Sequence, residues 1–244
     1  MRIVFLGDSL TEGVDGVSYL RLLRERAARD ALLRTLDLVN SGVGGDTVLN
    51  LPRRVARDVV PLQPDWVVVF IGVNDCMTLL ARRRPPTIGS LRSRRYFQRQ
   101  KGVRGSVTPA RFRDGLRSLV DGLHSRTSAR VALCTPAVFG ERLSSHAWRL
   151  LDEYVAITRM VASERGCALI DVHAAFAREL AELPALRPAS RLTRWRIRHR
   201  PTSSYEILAA ARGHRFVYDD VHFNARGAAL VADVMLDWLR SATG

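Results

Sequence analysis

The sequence predicts a doubly wound α/β domain, a three-layer α/β/α sandwich on a five-stranded parallel sheet. Three observations predict it: five short β-rich apolar runs, helical patterns between them, and a length of 244 residues that suits one such domain. The runs are Arg2–Leu6, Leu36–Asn40, Trp66–Ile71, Arg130–Cys134 and Ala168–Val172. Strands covered on both faces read as continuous apolar runs, because neither face meets water. After the first run, Leu20, Leu23, Ala27 and Ala31 share one helical face. After the second, residues 46–60 carry a weaker pattern in which Pro52 must lie near a helix start. Thr108-Pro109, a cap followed by a first-turn proline, opens a helix striped by Phe112, Leu116, Leu119 and Leu123. Leu150, Tyr154, Ile157 and Val161 form the next stripe, and Val231, Met235 and Trp238 the last.

Composition excludes several classes. Hydrophobic residues at 47% and charged residues at 25% are ordinary globular values, unlike those of a disordered or fibrous chain. The chain has no apolar stretch of the about 18 residues that a membrane-spanning helix needs. The opening Ile3-Val4-Phe5-Leu6 run is too short for a signal-peptide core, so a cytoplasmic location is expected. Cys76, Cys134 and Cys167 lie far apart without a CxxC pattern, which points to reduced thiols rather than a disulfide framework or a zinc site.

Charge is unevenly spread. The formal net charge is +14, and Lys101 is the sole lysine among 38 basic residues. Residues 82–104 hold nine basic residues and no acid, and residues 187–215 hold eight arginines against Glu206. These two segments carry more than the whole net charge. They contain proline, serine and turn residues and show no clean apolar period, so they read as surface insertions or lids, at about 82–107 and 184–215, on a single domain spanning 1–244.

Doubly wound sheets place their sites at the carboxyl ends of strands. After the first strand comes Gly7-Asp8-Ser9-Leu10, where a serine can begin a helix whose free N–H groups favour developing negative charge, or serve only as its cap. After the second comes Gly42-Val43-Gly44-Gly45-Asp46-Thr47, whose glycines allow close approach of a ligand; it lacks the phosphate-loop pattern. After the third comes Gly72-Val73-Asn74-Asp75, in which Asn74 offers an amide NH₂ or a helix cap. Near the end, Asp219 and His222 stand three residues apart, close enough for the carboxylate to hold the imidazole in one tautomer.

Together, in this order, the four blocks resemble those of the SGNH, or GDSL, hydrolase family, and they span Gly7 to about Gly227. The resemblance implies a flavodoxin-like fold and a serine hydrolase that cleaves carboxylic esters or thioesters through an acyl-enzyme at Ser9. It implies Asp219 and His222 as acid and base, and an oxyanion hole formed by the Ser9 and Gly45 N–H groups with the Asn74 amide. It requires no metal or organic cofactor. Two features depart from the family pattern: the arginine-rich segments have no counterpart, and Phe223 stands where proline is frequent after the histidine. The alternatives are an acyltransferase using the same acyl-enzyme, and a non-catalytic basic binding protein on this fold.

The substrate implied is an acylated small molecule or lipid. For the basic segments three readings compete: recognition of an anionic substrate, attachment to a membrane surface or nucleic acid aided by Tyr96, Phe97, Trp195 and Tyr205, and solvated lids. Nucleic acid ranks below an anionic substrate. Asp171-x-His173 reads as structural, since no third metal ligand stands at useful spacing, and His146, His199 and His214 read as surface residues. Asp8 and Asp75 read as organisers of loop hydrogen bonds, and Cys76 as a packing residue.

Overall fold

The computed structural model describes residues 1–83, 88–184, 186–190, 192–193 and 204–243. Its sheet comprises β1 (Arg2–Gly7), β2 (Asp37–Gly42), β3 (Trp66–Phe70), β4 (Arg130–Cys134) and β5 (Ala168–Ile170). All four pairings are parallel, in the order β2-β1-β3-β4-β5. The expected architecture is therefore present, with strand ends moved by one or two residues. Leu169 is exposed because β5 is an edge strand.

Successive strand residues feed opposite cores, as a period of two requires. Ile3, Phe5, Val68 and Phe70 pack with α2 (Tyr19–Ala27), α8 (Val172–Glu182) and the last helix, α10 (Ala225–Thr243). Val4, Leu6, Val67 and Val69 pack on the other side, against α3 (Leu51–Asp58), α4 (Val73–Arg83), α6 (Pro109–Arg126) and α7 (His146–Glu164). The helix starts follow local chemistry. The Thr108 hydroxyl accepts from Arg111 N–H ahead of Pro109, and the Ser145 hydroxyl accepts from Trp148 N–H. Pro52 does lie in the first turn of α3. Ala31 falls beyond the end of α2, in a turn.

The first basic segment is partly helical. It contains α5 (Ile88–Gln100), which packs on α4. Among the described side chains of α5 only Phe97 is buried, too little for a visible apolar stripe, and Arg94 ties the helix to the Ala81 and Arg82 carbonyls of α4. The second contains α9 (Tyr205–Arg212), capped by Ser204 and ended by Gly213, with only Ala209 and Ala211 buried. Trp195, His199 and the basic run around them lie outside the described residues. No described helix is long and apolar enough to cross a membrane.

The strand order fixes where a site forms. From β1 the chain steps to one side for β2 and to the other for β3, so the β1 and β3 carboxyl ends flank the topological switch point. Ser9 follows β1, and Asn74 follows β3.

Candidate active site

Ser9 opens a one-turn helix, α1 (Ser9–Glu12). Asp8 caps that helix, its carboxylate accepting the Leu10 N–H at 3.0 Å. Ser9 is buried save for a small opening. Its Oγ lies 2.9 Å from His222 Nε2. His222 Nδ1 lies 2.8 Å from Asp219 Oδ2. Because Asp219 accepts at Nδ1, that nitrogen carries the proton, and Nε2 is left to accept from the serine hydroxyl.

A tight turn presents the acid and the base together. Tyr218 N–H donates to His222 carbonyl, and Val217 and Phe223 bridge antiparallel. Between them Asp220 takes φ 88°, a conformation that costs a non-glycine residue about 1–3 kcal/mol and clusters at functional sites. Asp219 Oδ1 also accepts the Val221 and His222 N–H groups. Phe223, in place of the frequent proline, is buried and stacks on Phe176 at 5.7 Å, leaving the Asp219–His222 geometry intact.

The electrostatics suit a general base. Burial alone would lower the His222 pKa, but the hydrogen bond and charge of Asp219, helped by Asp15 and Asp8, hold it above the usual histidine value. Burial alone would raise that of Asp219, yet the His222 contacts and the two backbone N–H groups hold it below the usual carboxylate value. Asp8 and Asp75 lie beneath the site. Burial pushes Asp8 up to about 7 and Asp75 up to about 8. Asp75 accepts the Val48 N–H, so both aspartates do organise loop hydrogen bonds.

The glycine loop passes close to Ser9, whose Cβ lies 3.8 Å from the point where a Gly44 Cβ would stand. Gly45, with φ 76°, holds a left-handed turn. The Ser9 and Gly45 N–H groups make no hydrogen bond among the described residues. Asn74 Nδ2 donates to the Asp46 carbonyl at 3.0 Å and to Asp8 Oδ2 at 3.2 Å. These two acceptors fix which end of the amide faces the loop. Both hydrogens of the amide nitrogen are engaged in these two bonds.

Several residues around this loop escape sequence reasoning. Tyr96, assigned to stacking or surface anchoring, reaches from α5 to the loop, its hydroxyl 3.4 Å from the Gly44 carbonyl. A Cβ at position 45 would meet the Tyr96 ring at 2.8 Å, so glycine is required there twice over. Lys101 Nζ and Arg54 both contact Asp46, at 3.0 Å and 2.9 Å, in a nearly buried ionic group. Arg54 further donates to the Gly7 and Ser41 carbonyls. Glu12 accepts the Gly44 N–H. Glu141 accepts the N–H groups of Arg215, Phe216 and Val217, anchoring the approach to the Asp219 turn. The available signal was singularity: Lys101 is the sole lysine of a chain that otherwise uses arginine.

The weaker candidates resolve as structure. Asp171 caps α8, and His173 is buried between the Ala137 carbonyl and Asp152. Among the described residues no group of three ligands could hold a metal. His146 is exposed, as expected. His214 corrects the surface expectation: it is partly buried, its Nε2 3.4 Å from Asp220, because α9 and the Asp219 turn enclose it. Cys76 is buried.

Beside His222 opens a cleft of about 830 Å³. Met77, Leu80, Phe139 and Leu143 form apolar wall, and Arg142, Arg212 and Arg215 alternate with Glu141, Asp219 and Asp220.

The chain resembles known proteins along most of its length. Residues 5–230 match the model of the GDSL-like lipase/acylhydrolase family. An acetylxylan esterase from Geobacillus stearothermophilus is 27% identical over 229 residues, covering 86% of this chain and 91% of that protein. The crystal structure of an acetyl xylan esterase superposes with a TM-score of 0.66 at 25% identity, covering 98% of this chain and all of the other. An α/β hydrolase from the metagenome of Lake Arreo, Spain, shares the fold with a TM-score of 0.66 at 24% identity, over 97% of this chain and 93% of that one.

Proposed function

The chain belongs to the GDSL-like lipase/acylhydrolase family and is an ester hydrolase of that type, and we propose that it cleaves short-chain carboxylic esters through an acyl-enzyme at Ser9. The observation that carries this reading is the unbroken row from Ser9 Oγ to His222 to Asp219, with links of 2.9 and 2.8 Å. In a solved esterase of similar fold, a serine, an aspartate and a histidine have each been replaced in structures described as catalytic mutants, which supports the same division of roles.

His222 Nε2 takes the Ser9 proton as Oγ bonds to the acyl carbon. The carbonyl electron pair moves to oxygen, and the Ser9, Gly45 and Asn74 donors receive it. Asp219 stabilises the imidazolium. His222 then returns the proton to the departing alkoxide, and the acyl group stays on Ser9. Water, deprotonated by His222, releases the acid by the same route.

The surroundings bear on the substrate. Tyr96 covers the loop at Gly45, which favours a small acyl group. The broad cleft beside His222 suits a larger alcohol, and its alternating charges favour a neutral one over an anion. The names of the relatives, which refer to acetylated xylan, agree with an acetyl group on a carbohydrate-sized alcohol. The test is hydrolysis of p-nitrophenyl esters from acetate to long chains by wild type and Ser9→Ala. Turnover greatest for acetate and absent from Ser9→Ala supports the reading. Equal activity in Ser9→Ala rejects the nucleophile, and a preference for long chains rejects the acyl assignment.

A further inference from the structure

The family chemistry leaves one feature of the chain without a role, its concentrated positive charge. A minority of the arginines are neutralised by an acid. Arg2, Arg26, Arg54, Arg117, Arg165 and Arg240 each pair with a carboxylate. All Asp and Glu residues of the chain fall among the described residues. None lies at ion-pair distance from Arg53, Arg99, Arg104 or Arg111. Those four arginines nevertheless line one cleft of about 780 Å³, with Asn50 and Lys101. They come from α3, α5, the loop after it and α6, so one run of basic codons does not account for their meeting. Arg82 adds a fifth guanidinium, its Nη1 and that of Arg111 both within 4 Å of the point where a Gly105 Cβ would stand.

Arg111 donates to the Arg104 and Ser106 carbonyls, but these carry no countercharge; like charges brought together without one destabilise a fold, and an anion that joins them removes the cost. Position adds to the attraction: Asn50 stands at the N-terminus of α3, where the helix dipole is positive. Guanidinium forks match phosphate and sulfate oxygens in pairs. Among the described residues the lining contains no aromatic side chain on which a base could stack, and the hollow has the volume of a small-ligand site. We infer that this cleft, separate from the Ser9 site, binds a small polyanion carrying phosphate or sulfate groups. Its floor is tied to the catalytic loop, because the Lys101 carbonyl accepts from Asn50 while the Lys101 ammonium holds Asp46.

The experiment is a thermal-unfolding titration with inorganic tripolyphosphate, against sodium chloride of equal ionic strength, in wild type, Arg53→Ala/Arg99→Ala and Arg34→Ala. Among the described residues neither Arg53 nor Arg99 makes a side-chain hydrogen bond that the fold would lose, and Arg34 is an exposed control outside the cleft. The inference expects a saturable rise in Tm of about 5–10 °C at ~100-fold excess over Kd in wild type and Arg34→Ala. It expects the rise to vanish in the double variant. A second arm follows hydrolysis of an acetyl ester of a sugar phosphate. Competition by tripolyphosphate means that the substrate itself brings the anion, and a KM left unchanged while Tm rises means that a free anion occupies the cleft. An unsaturable rise shared by chloride, or an equal rise in the double variant, overturns the inference. The unfolding arm needs no turnover, so its outcome is independent of the esterase assignment.

Discussion

Replacing Lys101 by methionine removes one of the two cations that hold Asp46, and the consequence is calculable in outline. The Lys101–Asp46 contact is 3.0 Å long, with both side chains mostly buried. Two unit charges at that distance attract by about 5 kcal/mol in a medium of effective dielectric about 20. Relief of the lysine's own desolvation returns part of this, and Arg54 still partners Asp46. A net loss of about 1–3 kcal/mol remains, which corresponds to a fall in Tm of roughly 2–12 °C for a chain of this size. The kinetic effect follows from position. Asp46 succeeds Gly45, and its carbonyl holds the Asn74 amide. Losing one oxyanion donor outright costs about 10²–10³ in rate, so loosening the loop that carries Gly45 and holds the Asn74 amide is expected to lower kcat by about tenfold or more. KM should move little, because the loop acts on the transition state. The assay is kcat and KM for p-nitrophenyl acetate, beside unfolding curves, for Lys101→Met and Lys101→Arg. The arginine variant keeps the charge and should recover part of kcat. A Lys101→Met protein with lowered Tm but unchanged kcat would refute the reasoning and reduce Lys101 to a structural ion pair.

Three further outcomes follow from the same geometry. Asn74→Ala should lower kcat more than it raises KM, and the reverse pattern, read from steady-state kinetics, would make Asn74 a binding residue. Tyr96→Ala should raise kcat/KM for butyrate and longer esters relative to acetate, and an unchanged chain-length profile would remove Tyr96 from the acyl site. Since His222 must be neutral to act and its pKa is held up chiefly by Asp219, kcat/KM should fall on acidification with a midpoint above the ordinary histidine value. Asp219→Asn should move that midpoint down while cutting the rate. The sign for stability is the opposite for the two groups. The raised His222 pKa stabilises below the ordinary histidine value and is lost as pH rises through it, whereas the lowered Asp219 pKa stabilises above the ordinary carboxylate value and is lost on acidification.

The four blocks were legible because the chemistry needs particular residues just past particular strands, and strand ends are read from local apolar runs. The Asp219-x-x-His222 pair was legible for a similar reason: both residues belong to one turn, closed by hydrogen bonds within a few residues. The helical stripes at Leu116 or Tyr154 were legible because burial on one face leaves a period. What stayed hidden has no local signature. Helix α5 buries only Phe97 among its described side chains, so its pattern is polar almost throughout and does not announce a helix. The contacts of Tyr96 with Gly44 and of Lys101 with Asp46 join residues more than fifty positions apart. Glu12 and Gly44 meet only because β1 and β2 are neighbours. Such pairings follow from topology, and no periodicity in a single sequence announces them.

The central claim is that Ser9 is the nucleophile and that His222 activates it. An alkyl fluorophosphonate tests this directly, because it labels a serine only where a base and an oxyanion hole have made that serine reactive. Peptide mass mapping should place one label on Ser9 in the wild type, with esterase activity lost in proportion, and no label in Ser9→Ala or His222→Ala. A label on another residue, or full turnover by enzyme already labelled at Ser9, would contradict the account.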